Sequence, residues 1–237
     1  MKLNVFRTTI KDGNFTKDKK YYPNLSKEEI TLLYETNINR LLKKVGTNIE
    51  NYVILSAKNK ELKPRTITKT TKKIKEQIII LKSSTPSIAV LIETTDDPII
   101  VASANGVCTI ALGTIENINN NILHEMIEAL IKETDAAPFE MTFYITSCPS
   151  QASYVLDNTQ KLTNTAIWKD AYIKKQKKYY LDIRYAIYNQ LLHEIVDPHY
   201  IYFDSKDSTE NKNYYSDIAK RPGVNLTCVV YTDEETI

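Results

Sequence analysis

Apolar positions along this chain switch between a helical and a strand-like period. From Ile30 they recur at helical spacing (Ile30, Leu33, Tyr34, Ile38, Leu41, Leu42 and Val45), and Gly46 ends the run. Ser26-Lys-Glu-Glu29 stands directly before it as a capping box, in which hydroxyl and carboxylate each satisfy an orphan amide. A second helix is expected over about Asn119 to Glu133, burying Ile122, Leu123, Met126, Ile127 and Leu130. A third is expected over about Lys178 to Val196, with Leu181, Tyr185, Tyr188, Leu192 and Ile195 on one face. Asp197-Pro198 stops it, because proline cannot continue the backbone ladder.

Short β-branched runs fill the intervals: Tyr52 to Ala57, Gln77 to Leu81, Ile88 to Thr94, Ile99 to Ala102, Val107 to Leu112 and Met141 to Thr146. Tyr200 to Phe203 and Leu226 to Tyr231 add two more. Ile88 to Ile92 and the Ile-Ile-Ile-Leu that follows Gln77 show no polar alternation, which predicts strands covered on both faces. Strands grouped between few helices predict an α+β fold, a layered sandwich of mixed β-sheets flanked by helices. No internal repeat or linker stands out, so residues 1–237 read as a single domain.

Composition narrows the chemistry. Apolar residues make up 42% and charged residues 25% of the chain, as in ordinary folded proteins. A net charge of +2 is far from the basic balance of a dedicated nucleic-acid binder, so no nucleic-acid partner is expected. The basic stretch Lys58 to Lys75 and the polar stretch Asp204 to Asn213 read as solvated loops. Only five glycines occur, dispersed singly, so phosphate loops and dinucleotide fingerprints are absent. Three cysteines without C-x-x-C spacing argue against a disulfide framework or a cysteine zinc site. No run is apolar enough for a signal or a membrane span, and a cytoplasmic protein without membrane contact is expected.

Three other groups of side chains are candidates for chemistry. His124 with Glu128, and His193 with Asp197 and His199, come near the zinc-protease helix motif, but each lacks its second histidine. Dipole compensation at a helix end is the simpler role for the latter. Cys148 needs a nearby histidine or helix N-terminus to become a nucleophile, and the sequence supplies neither; a shielded structural thiol fits better. Trp168, Tyr172, Tyr179 and Tyr180 form either an aromatic surface for a partner or, on the simpler reading, core packing on the third helix.

One block carries a resemblance. Ser87 to Glu93 and Pro98 to Ser103 read as buried strands, Val107 to Gly113 as a third, and a helix follows. This layout is similar to that of the laccase-domain (YfiH-like) family, also called multicopper polyphenol oxidases, whose members act as purine nucleoside phosphorylases. Thr94-Thr-Asp-Asp-Pro-Ile99 stands where the family has Ala-Asp-Cys-x-Pro-Val, and Ala111-Leu-Gly-Thr-Ile115 where it has the His-Ala-Gly-Trp segment; Pro98 and Gly113 match. Ile145 to Val155 keeps Ile145, Ser153 and Tyr154 in register with a further family segment. Asn39-Arg40-Leu41 and Gly46 resemble its first helix, and Tyr214-Tyr-Ser216 its late aromatic motif.

The resemblance implies phosphorolysis of adenosine or inosine at a zinc or copper ion held by two histidines and one cysteine. Here the cysteine position falls on Asp96, one histidine position on Ala111, and the other near Ser56-Ala-Lys-Asn59; the late arginine pair falls on Ile218 and Ala219. No metal is therefore expected, since a catalytic zinc takes about three protein ligands. The implied catalytic candidates are Asp96, Asp97 and Cys148, and the implied substrate-binding candidates Lys58, Ser153 and Tyr154. Asp96-Asp97-Pro98 also reads simply as a turn between strands. Two functions stay open: a divergent purine nucleoside phosphorylase using nucleoside and phosphate, or an inactive relative serving as a binding or structural protein. Either would be a monomer or homodimer.

Overall fold

The computed structural model describes residues 1–47, 51–56, 61–68, 73–84 and 88–232. Its strands are β1 (Lys2–Arg7), β2 (Tyr52–Leu55), β3 (Pro64–Thr66), β4 (Ile78–Lys82), β5 (Ala89–Thr94), β6 (Ile99–Ala104) and β7 (Val107–Leu112). They continue with β8 (Thr142–Ile145), β9 (Val155–Leu156), β10 (Tyr172–Lys175), β11 (Lys178–Leu181), β12 (Ile201–Phe203) and β13 (Asn225–Thr232). The helices are α1 (Lys27–Lys44), α2 (Ile115–Asn119), α3 (Ile122–Thr134), α4 (Thr165–Trp168) and α5 (Ile183–His193), besides short 3-10 turns.

These elements build an α+β sandwich. One sheet has the order β1-β13-β5-β2, and a larger one the order β12-β8-β6-β7-β4-β3. Both are mixed: β2–β5, β12–β8 and β3–β4 pair in parallel, and the remaining neighbours are antiparallel. The alternation of side chains explains the apolar runs. In β5, Ala89 and Leu91 pack under α1, while Val90 and Ile92 face the larger sheet. In β4, Ile79 and Leu81 meet them from the other side, while Ile78 and Ile80 pack against the layer of α3 and α5. Four layers result, and the central strands are covered on both faces.

The capping box at Ser26 forms as expected, with Ser26 Oγ accepting from Glu29 N and Glu29 Oε2 from Ser26 N. Other expectations need correction. The second expected helix is α3, burying Ile122, Leu123, Met126, Ile127 and Leu130 as expected; it starts at Ile122, after Asn121 at φ +59°, a left-handed conformation asparagine tolerates, and the short α2 before it was not expected. The third begins later, because Lys178–Leu181 is strand β11, hairpinned to β10 through Gln176 at φ +57°. Asp182 caps α5 by accepting from Tyr185 N. The buried face of α5 is Ile183, Ala186, Ile187 and Leu191; Tyr185, Leu192 and Ile195 of the expected stripe are exposed. Trp168 is buried, whereas Tyr172, Tyr179 and Tyr180 sit half-exposed on the hairpin.

Lys2-Leu-Asn-Val-Phe-Arg7 is also a strand, unforeseen, and it closes one edge of the smaller sheet along β13. The stretch Asp204 to Asn213 is not simply solvated: Ser208 is fully buried and Thr209 nearly so. Within Lys58 to Lys75, Pro64–Thr66 pairs with β4 and Ile67 and Ile74 are buried.

Candidate functional site

The turn between β5 and β6 brings Asp96 and Asp97 to one end of the sandwich. Thr94 Oγ1 donates to Asp97 O and tightens that turn. The residues after β8, Thr146 to Tyr154, run past it, and Asp204 to Arg221 close over both. Asp96 is buried, and both of its carboxylate oxygens accept hydrogen bonds. Oδ1 accepts from Ser216 Oγ at 2.7 Å and Ser208 Oγ at 3.0 Å, and Oδ2 from Ile218 N at 3.1 Å. Both serines are themselves buried, so each needs this acceptor.

Asp97 is differently placed. Burial, reinforced by Asp96, pushes its carboxyl up to about 6, with Arg7 working in the opposite direction. Tyr154 lies close enough for its phenol to be raised by burial and by the charges of Asp97, Asp96 and Cys148. It also lines a cavity of about 560 Å³ with Thr114, Glu116, Asn120, Lys161 and Thr163. That cavity opens just beyond β7, after Gly113, whose Cβ would meet Pro98 Cγ at 2.9 Å. Glycine is needed there so that the two strand ends can approach.

Cys148 is buried, and burial raises its thiol, against which Arg184 and Arg7 act. Arg184 Nε lies 3.4 Å from Cys148 Sγ, while its Nη2 donates to Lys206 O at 2.7 Å. Ser153 Oγ is turned away to Asp207 Oδ2 at 3.0 Å. Burial raises the Asp207 carboxyl, but donors from Ser150 and Thr209 outweigh it and hold it well below the usual range. Of the expected site residues, Asp96, Asp97 and Cys148 thus all come within electrostatic reach of Tyr154, and Ser153 serves Asp207. Lys58 lies outside the described residues.

Three arginines at this end escaped the sequence reading. Arg7 leaves β1 to donate to Thr95 O, Thr146 Oγ1 and Ser147 O, and it stacks 5.3 Å over the Tyr214 ring. Its guanidinium pKa is lowered by burial, and its Nε and the neighbouring Ser147 Oγ have no partner among the described residues. Arg221 ties Tyr214 O, Ser208 O and Asn211 O together. The apolar–polar alternation of Leu3, Asn4, Val5 was the available signal for β1 and hence for Arg7. Nothing comparable marked Arg184 or Arg221.

The multi-copper polyphenol oxidoreductase laccase family model matches residues 28–231, most of the chain. The chain belongs to the laccase-domain family. Solved structures of this family's fold superpose on it: Bacillus licheniformis hypothetical protein YfiH has a TM-score of 0.74 at 14% identity, covering 85% of this chain and 82% of its own. YlmD from Geobacillus stearothermophilus gives 0.74 at 15% identity, with 85% and 81% covered. Neisseria meningitidis protein NMB0706 gives 0.73 at 13% identity, with 98% and 95% covered. None of the curated proteins compared with it matches.

The laccase-domain family is associated with copper or zinc, and the side chains present here do not fit such an ion. Asp96 has its carboxylate oxygens taken by three donors. Ala111 is buried against the helical layer and has no ligand atom. Ser56 Oγ donates to Ile74 O at 2.9 Å. Among the described residues, no three His, Cys, Asp or Glu side chains converge on one point. No helix among them is long and apolar enough to cross a membrane.

Proposed function

We propose that this laccase-domain protein binds a purine nucleoside in the cavity beside Tyr154 and has lost the metal-assisted step of its family. One observation carries this reading. The carboxylate that the resemblance places at the family's cysteine position is an acceptor for Ser208, Ser216 and Ile218, so it anchors the closing loop and is not free to serve a cation without stranding those donors. The cavity supplies what a nucleoside needs, the Tyr154 ring for the base and the Glu116 and Asn120 side chains for hydroxyls, and Lys161 is placed to meet a phosphate beside it.

A second reading, phosphorolysis without a metal, is favoured by Asp97. A carboxyl displaced to about 6 carries a proton in a useful fraction of molecules near neutral pH. Phosphate would attack the anomeric carbon as the glycosidic C–N bond breaks, its electron pair going to the purine, which takes the Asp97 proton. Ribose 1-phosphate and free base would leave. Calorimetry with adenosine and inosine, paired with chromatography of the same mixtures after adding phosphate, separates the two. Binding without base release is expected. Base release lost in Asp97→Asn would establish the second reading, and absence of any binding would overturn both.

A further inference from the structure

The hairpin β10–β11 is joined to the site through β9, with Leu181 N donating to Tyr154 O at 2.9 Å, and carries the densest positive charge of the chain. Lys174, Lys175, Lys177 and Lys178 fall within five residues, and all are exposed. Lys175 sits directly opposite Lys178 in the ladder, where like charges destabilise a strand pair. Asp157 neutralises Lys178 alone, and among the described residues the other three lysines have no carboxylate partner. Tyrosines are interleaved on both faces of the hairpin: Lys174 lies 5.4 Å from the Tyr179 ring centre and Lys175 5.6 Å from that of Tyr180.

At the root of the hairpin is a cavity of about 390 Å³, lined by Leu162, Thr165, Trp168, Asp170 and Tyr172, within the size of small-ligand sites (roughly 300–1,000 Å³). Tyr172 joins the two features, since its ring packs edge-on to Tyr179 at 5.8 Å. Asp170 on the cavity wall repels a phosphate but accepts a hydrogen bond from an exocyclic amine. We propose that this surface binds a single-stranded nucleic acid, one base entering the cavity while the following phosphates run along the hairpin lysines. Lysines interleaved with aromatic rings are the recurring means of holding a strand irrespective of its sequence. The overall charge of +2 hides this, because it averages a clustered patch over the whole chain.

The test is fluorescence anisotropy with a labelled adenine oligonucleotide of about eight nucleotides, a length typical of such sites. With three phosphates neutralised, raising salt from about 50 to about 200 mM lowers affinity about 20-fold. Replacing Lys174, Lys175 and Lys177 by serine should abolish most of that salt dependence. Tyr179→Leu, which keeps an apolar side chain, should weaken binding about tenfold through lost stacking. Circular dichroism of each variant checks that it folds. Failure to bind at low salt overturns the proposal. So does competition by heparin, a polyanion without bases, that Tyr179→Leu leaves equally strong, or affinity for adenosine monophosphate equal to that for the oligonucleotide. Binding to phosphatidylserine vesicles but not to the oligonucleotide overturns it in favour of a membrane surface.

Discussion

Substituting Asp96 by alanine tests whether this buried carboxylate anchors the closing loop. The change deletes three hydrogen bonds and strands two fully buried hydroxyls, Ser208 and Ser216, together with the Ile218 amide. Hydrogen bonds to a charged acceptor contribute about 1.5–3 kcal/mol each, partly offset because the buried carboxylate no longer has to be desolvated. Ser216 Oγ keeps one contact, accepting from Ala219 N at 3.0 Å. A net loss of about 3–4 kcal/mol follows, or about 10 °C in Tm for a chain of this size. Asp96→Asn should fall between, because its amide group can satisfy the serines only by facing the Ile218 N–H with a donor. Urea unfolding followed by fluorescence, with calorimetric Tm, measures both. A residue kept for catalysis or metal binding behaves otherwise, since its removal typically leaves stability unchanged or raises it. A Tm shift under about 2 °C for Asp96→Ala would therefore refute the structural role.

Two further expectations concern buried titratable groups. Asp97 is displaced from 3.8 to about 6, so the folded state holds its proton more tightly than the unfolded state. The stability this contributes is complete below pH 3.8 and is lost as pH rises through about 6, roughly 3 kcal/mol in all. Urea midpoints across that range should fall with pH in the wild type and flatten in Asp97→Asn; parallel profiles would count against it. The thiols of Cys108, Cys148 and Cys228 are buried and raised. A chromogenic disulfide reagent should leave the native protein untouched and titrate all three in urea, whereas rapid native reaction at Cys148 would restore it as a nucleophile.

How far the sequence could be read depended on how local each determinant is. Helix α1 was legible from its capping box and periodic face, and β7 from its β-branched run, because short-range chemistry decides both. Lys178–Leu181 was misread because Leu181 and Tyr185 share a helical spacing with residues beyond them. The ladder with β10 and the Asp182 cap override that pattern, and neither is visible in a single face. At the site, the acidic turn was legible as a position but not as an environment. What fixes Asp96 comes from Ser208 and Ser216, 112 and 120 residues away, the first in a stretch whose polarity read as solvation and the second in the late aromatic motif.

Polar residues in a surface loop and in a buried loop look alike in composition; their partners distinguish them. Here the partners are largely backbone. Arg7, Arg184 and Arg221 each direct their guanidinium mainly to carbonyl oxygens, and none forms an ion pair with a described carboxylate. A planar fork of five donors can hold several loop carbonyls at once, which an ammonium group does less well. The acidic partners are satisfied in the same indirect way, Asp96 by hydroxyls and Asp207 by amides and hydroxyls. Such a network gives the Asp96 carboxylate a structural task, because releasing it to a cation would strand the serines that depend on it.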